Sequence, residues 1–315
     1  MGRNPEWDAP RWGWSSTRSE LPADREGDQH AGYPENPFIA LSTPKPRPSV
    51  RGRIADMPKT LARLLILIAL TYIGLCAAAF SVQRSLIYMP QPRALPMPVD
   101  SEWIEVDGLR LQLSVRRPAG QSEVPALIYF GGNAEDVSLS LEPLAQEFPG
   151  HALYLLHYRG YGGSEGTPSE AALFADALAL HAHVASEHSR IRVLGRSLGS
   201  GVAVYLASQR EVEQLVLVTP YDSIAAVAAQ QFPYLPVDWL LLDRFDSVAH
   251  AAAVRAPTRI LVAERDEVIH PQHSHRLQLA FKPGIAELQV LTARGHNSIS
   301  QHPDYWRLLA AEPVR

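Results

Sequence analysis

The sequence predicts an α/β protein: a mostly parallel eight-stranded sheet with helices on both faces and a short lid, preceded by one N-terminal membrane helix. Three observations predict it. Near-continuous apolar runs recur at residues 126–130, 152–156, 191–194, 215–218, 260–262 and 288–291, as in strands covered on both faces. A G-x-S-x-G motif, Gly195 to Gly199, stands between one such run and a helix-like stretch. Residues 64–82 carry no charge at all.

The order of elements follows from periodicity. Residues 103–106 and 111–115 alternate apolar and polar, as an antiparallel hairpin with one solvated face does. Helical stretches such as 171–183 and 274–281 then separate the apolar runs. Two hairpin strands and six β/α units make the open sheet. No internal repeat stands out.

Composition narrows the function. The 315 residues are 46% hydrophobic with a formal charge of −4, which gives no basic face for nucleic acid. A single cysteine, Cys76, excludes an intrachain disulfide framework and a thiolate metal cluster. Its apolar surroundings mark it as a buried structural thiol.

The chain divides into three parts. Residues 1–59 are rich in Pro, Gly, Arg and acidic residues, so they read as disordered, or as lying upstream of a true start at Met57. Residues 60–83 form the anchor, with the membrane met through 61–82. As a helix, the uncharged stretch spans roughly 28 Å, close to the hydrocarbon thickness of a bilayer. Lys45, Arg47, Arg51, Arg53, Lys59 and Arg63 precede it, and only Arg84 and Arg93 soon follow. The positive-inside rule therefore puts the N-terminus in the cytoplasm and the third part, residues 100–315, on the far side, periplasmic in a bacterium. Ala77-Ala78-Ala79 resembles a cleavage site, so removal as a signal peptide is the competing reading.

The chemistry centres on Ser197. A strand–turn–helix at G-x-S-x-G forces the serine into a strained backbone that only small neighbours tolerate. The turn lifts Oγ clear of the sheet and leaves the next amides at a helix N-terminus. A serine hydroxyl needs a base to take its proton, and the base needs an orienting acid. His296, in Gly295-His296-Asn297 after the last strand, is the candidate base. Asp266, at the end of the penultimate strand, is the candidate acid, with Asp222 as runner-up. Glu264 and Glu267 read as a solvated face or partners of Arg265, and Asp246 as a turn cap. The oxyanion needs two backbone donors. Leu198 supplies one, and Asn133, in the glycine-rich loop after residues 126–130, is assigned the other.

These pieces resemble the α/β-hydrolases. More narrowly, Tyr158-Arg159-Gly160-Tyr161-Gly162-Gly163-Ser164-Glu165-Gly166-Thr167-Pro168-Ser169-Glu170 is similar to the Y-R-G-Y-G-x-S-x-G-x-P-S-E signature of membrane-anchored α/β-hydrolase-domain serine hydrolases. Gln83 to Pro90, Asp266-Glu267-Val268-Ile269 and Gly295-His296-Asn297 are similar to the same group, over residues 60–312. One departure is that Gly131-Gly132-Asn133-Ala134 stands where that group has H-G-N-A, which changes the rigidity of the oxyanion loop. By itself, the glycine-rich segment 158–163 reads as support for the site, with Arg159 paired to a carboxylate beneath it.

The forty or so residues between the strands at 215–218 and 260–262 are where this fold places its lid, about 221–257. Their apolar stretch 232–242 reads equally as a packed helix or as a wall for an acyl chain. His270, His273 and His275 read as exposed residues at a helix start, since no fourth ligand supports a metal. The chemistry requires no cofactor and no metal. The expected protein is a membrane-anchored serine hydrolase acting on carboxylic esters or thioesters, acyl- or lipid-like. Its competitors are an amidase or peptidase with the same residues, and a non-catalytic membrane-tethered binding module.

Overall fold

The computed structural model describes residues 58–93, 101–120 and 123–312; the predicted N-terminal extension lies almost wholly outside them. The chain runs α1 (Lys59–Ile87), β1 (Ser101–Val106), β2 (Leu109–Arg116), β3 (Ala126–Phe130), α2 (Ser138–Glu147), β4 (Ala152–Leu156), α3 (Glu170–Ala185), β5 (Ile191–Arg196) and α4 (Leu198–Gln209). It continues with β6 (Gln214–Val218), α5 (Ile224–Gln231), α6 (Val237–Leu240), α7 (Ser247–Ala251), β7 (Thr258–Ala263), α8 (Pro271–Ala280) and β8 (Ala286–Leu291). A 3-10 turn (His296–Gln301) and α9 (Tyr305–Ala310) close it.

The eight strands form one sheet in the order β1-β2-β4-β3-β5-β6-β7-β8. β1 pairs with β2 and β2 with β4 antiparallel; every other neighbouring pair is parallel. This is the eight-stranded, mostly parallel sheet that the sequence predicts. β3 and β4 are apolar throughout because both faces are covered, and successive side chains point to opposite faces. Ile128, Tyr154, Leu217 and Ile260 pack on one side with Leu173, Leu180, Val202 and Leu277 of α3, α4 and α8. Tyr129, Leu155, Val216 and Leu261 pack on the other with Leu141, Leu144 and Leu309 of α2 and α9.

α1 is 29 residues long and apolar enough to cross a membrane; its most apolar stretch is unburied. Cys76 is half-buried on it, short of the buried structural thiol that the sequence predicts. The helix ends where Tyr88 turns extended, two residues before Pro90, which cannot continue a helix. Between β6 and β7, the apolar stretch 232–242 does not form a core helix. It holds only the four-residue α6, and Tyr234 and Trp239 are 86% and 90% exposed.

Parallel strands point their carboxyl ends the same way, so the loops after β3, β5, β7 and β8 gather along one edge of the sheet. That edge is where a ligand crevice forms in open α/β sheets.

Candidate active site

Ser197 sits between β5 and α4 with φ 49° and ψ −119°, in the left-handed half of backbone space. The strain is tolerated because its flanks are bare. A Cβ on Gly199 would run into the carbonyl oxygens of Phe130 and Gly131, and one on Gly195 would lie 2.6 Å from Ala203 Cβ. The Ser197 amide is fixed by the Val218 carbonyl at 2.9 Å.

The hydroxyl of Ser197 lies 2.9 Å from His296 Nε2, and His296 Nδ1 lies 2.8 Å from Asp266 Oδ2. With its proton on Nδ1, the ring donates to the carboxylate and accepts from the serine. Both His296 and Asp266 are buried. Asp266 Oδ1 also accepts from the amides of Val268 and Ile269, at 3.0 and 2.8 Å, which fixes the carboxylate plane. The structure thus brings Ser197, Asp266 and His296 together from three loops.

Glu267 is a participant the sequence reading missed. It is exposed, as its sequence predicts, and in addition its Oε2 accepts from the His296 amide at 3.3 Å and so steadies the loop carrying His296. Glu264 accepts from the Ala293 amide at 2.7 Å in the same loop, besides lying 4.0 Å from Arg265. Asp246 caps α7, accepting from the Ala249 amide. Asp222, the runner-up acid, makes no bond to His296 and pairs with His273 at 2.8 Å and with Arg276. Burial pushes its carboxyl up, but the bonds from His273, the Ser223 amide and Arg276 outweigh this and hold it below its ordinary value.

The histidine cluster differs from expectation. His270 and His275 are exposed, but His273 is buried, its Nε2 2.6 Å from Gln230 Oε1 on α5. It therefore connects α8 to the β6–β7 segment. Among the described residues no group of side chains is arranged to hold a metal ion.

Asn133 lines the same cavity as Ser197, Leu198 and His296, which has a volume of about 780 Å³. The neighbouring Gly132 amide is already taken by Glu135 Oε2 at 2.8 Å, leaving Asn133 as the loop's candidate donor. Glu135 also accepts from Tyr129 and Ser140, both at 2.7 Å. The loop is held from below by Tyr158, whose hydroxyl donates to the Gly131 carbonyl at 3.0 Å, and by Tyr161, which donates to the Asn133 carbonyl at 2.6 Å. Burial pushes the Tyr161 hydroxyl up to about 12, so it stays a donor at any working pH. Arg159 pairs with buried Asp176 and with Asp107, bracing the glycine-rich turn as its sequence suggests.

No protein-family profile matches the chain. Individual proteins do. The protein Rv2307c of Mycobacterium tuberculosis, itself uncharacterized, is 35% identical over 246 residues, covering 74% of this chain and 87% of that one. The uncharacterized membrane protein YNL320W of Saccharomyces cerevisiae is 26% identical over 77% of this chain and 92% of its own. The lysophosphatidylserine lipase ABHD12 of Danio rerio is 30% identical over 56% of this chain and 50% of the lipase. Among solved structures, the esterase Pf2001 of Pyrococcus furiosus superposes with a TM-score of 0.55 at 18% identity, covering 70% of this chain and 95% of the esterase, a likeness of fold. The chain belongs to the α/β-hydrolases. Within that family its relatives include the α/β-hydrolase domain-containing proteins.

Proposed function

We propose that this chain is a membrane-anchored serine hydrolase that cleaves carboxylic esters or thioesters of acyl chains, with Ser197, His296 and Asp266 as its triad. The observation that carries this reading is the unbroken line of hydrogen bonds from Ser197 Oγ through both ring nitrogens of His296 to Asp266. Ser197 Oγ attacks the carbonyl carbon while His296 Nε2 takes its proton. The Asp266 carboxylate stabilises the resulting imidazolium and holds the ring in register. Negative charge on the former carbonyl oxygen is met by the amides of Leu198 and Asn133, aided by the N-terminus of α4. His296 then returns the proton to the departing alcohol or thiol, leaving an acyl group on Ser197. A water molecule, deprotonated by His296, attacks that acyl carbon and frees the acid and the serine.

An acyl substrate is favoured over a charged one by the walls of the cavity, which include Leu198, Ile224, Val227 and Phe232. The likeness to the lysophosphatidylserine lipase of Danio rerio supports the same reading. We read α1 as a single-pass anchor, on its length, its unburied apolar surface and the yeast membrane relative, with the N-terminus cytoplasmic by the positive-inside rule. The β6–β7 segment acts as the lid.

The test is turnover of p-nitrophenyl esters by the full chain in detergent or bilayer, beside Ser197→Ala and with amide and thioester analogues in parallel. Serine-dependent ester or thioester cleavage is expected. Turnover confined to amides would make it an amidase, and folded protein inert on all three would favour a binding module.

A further inference from the structure

The last turn of α1 does more than lead into the globular part. Leu86 and Ile87 line the cavity that contains Ser197 and His296. A second cavity, of about 840 Å³, lies between α1 and the lid. Its walls include Leu75, Ala79 and Val82 from the helix and Leu235 and Leu240 from the lid, and they are almost wholly apolar. The two cavities share Leu86, Ile87, Ile224, Ala228, Gln231 and Phe232, so one apolar groove runs from the serine up along the helix.

Polar contacts bracket this groove at both ends. At its far end the Tyr72 hydroxyl donates to the Tyr234 carbonyl at 2.8 Å. At its near end Gln83 donates to the Leu240 carbonyl at 3.1 Å and accepts from the Leu242 amide at 2.7 Å, while Arg84 pairs with Asp243 at 2.9 Å. Tyr72 precedes Arg84 by twelve residues, roughly 18 Å along a helix axis. That is more than half of a hydrocarbon core about 30 Å thick. A lid that reaches Tyr72 therefore stands beside lipid wherever α1 spans a bilayer. Its outer surface suits that position, with Tyr234, Trp239 and Leu242 all exposed. Aromatic side chains of this kind are enriched where membrane meets water.

We propose that α1 is one wall of the acyl site, and that the groove between α1 and the lid receives a long acyl chain directly from the bilayer leaflet, with the chain's carbonyl end at Ser197. The proposal rests on the reading of Ser197 as nucleophile and of α1 as anchor. It adds that the anchor selects substrate as well as tethering the enzyme. Small side chains on α1, Ala79 among them, leave the room that the chain occupies.

The test uses the full chain in phosphatidylcholine vesicles and reads the ratio of kcat/KM for p-nitrophenyl palmitate to that for p-nitrophenyl butyrate. Ala79→Trp fills the groove and is expected to lower this ratio at least tenfold. Leu70→Trp, at an exposed α1 position outside both cavities, is expected to leave it unchanged. Retained butyrate turnover reports that each variant is folded. Equal ratios in wild type and Ala79→Trp would overturn the proposal while leaving the hydrolase reading intact. Wild type inert on both esters would remove both. The source of the chain is read separately, from the fluorescence difference between wild type and Trp239→Phe. Quenching of that difference by lipids brominated on their chains is expected. Quenching only by aqueous acrylamide would overturn delivery from the bilayer.

Discussion

The main-chain amide of Met89, the second residue beyond α1, donates to the carbonyl of Asn133 at 3.2 Å. The same amide lies 3.0 Å from the Tyr161 hydroxyl, which itself donates to Asn133. The exit of the apolar helix is therefore tied to the loop that carries the proposed oxyanion donor. The missing H-G-N-A histidine leaves a loop of two glycines, and these bonds, with those of Glu135 and Tyr158, supply rigidity that its sequence lacks.

Tyr161→Phe removes the hydroxyl that joins Met89 to Asn133 but keeps the packed ring. We expect kcat to fall about tenfold with little change in KM, because preorganised donors act mainly on the transition state. Steady-state kinetics on one ester checks this, and an unchanged kcat would show that the loop holds without the bridge.

The choice of acid is tested by a pair of isosteric variants. Asp266→Asn is expected to lower kcat on the order of 10³- to 10⁴-fold, since the amide no longer supports the imidazolium. Asp222→Asn is expected to leave kcat within about threefold but to lower Tm, because it disturbs the buried contacts to His273 and Arg276. Reversed effects would make Asp222 the acid.

Gly199→Ala places a methyl group against the carbonyls of Phe130 and Gly131. Overpacking against backbone that cannot yield costs about 3 kcal/mol. The variant's urea midpoint is expected to fall accordingly, with hydrolysis lost in parallel. A midpoint equal to wild type would mean that β3 and α4 are less closely packed than described.

Stability should depend on pH through His157. It is buried beside Ser114, at 2.9 Å, and burial pulls its pKa down to about 4 from 6.5. Between those values the unfolded chain binds more protons than the folded one, so stability is full above about 6.5 and declines as the pH falls towards 4. The shift corresponds to about 3 kcal/mol. His151, also lowered to about 4, acts in the same window. Melting curves from neutral to acid pH should show a shallower decline in His157→Gln, and a wild-type slope in that variant would assign the effect elsewhere.

Much of this architecture is legible in the sequence because it rests on local signals. Strands covered on both faces are continuous apolar runs, and the serine, acid and base positions each follow one of them. The helix Ser138–Glu147 gives no such signal; Pro143 lies inside it and its core contacts come from only a few residues. The contacts that support the site are harder still. Glu267 and Glu264 lie in a run of charges that is solvated, and only the fold of the neighbouring loop also turns them onto backbone amides. Burial of His273 depends on Gln230 and Asp222, more than forty positions away. The pairing of Arg84 with Asp243, and the presence of Leu86 and Ile87 in the cavity, depend on how the β6–β7 segment meets the helix, which no periodicity encodes.

The most direct test of the central claim is covalent labelling of the full chain by an alkyl fluorophosphonate, followed by peptide mapping. The account predicts one phosphonyl adduct, on Ser197, formed in step with loss of ester hydrolysis and absent from both Ser197→Ala and His296→Ala. Folded wild-type protein that stays unlabelled, or carries the adduct on another serine, would contradict it.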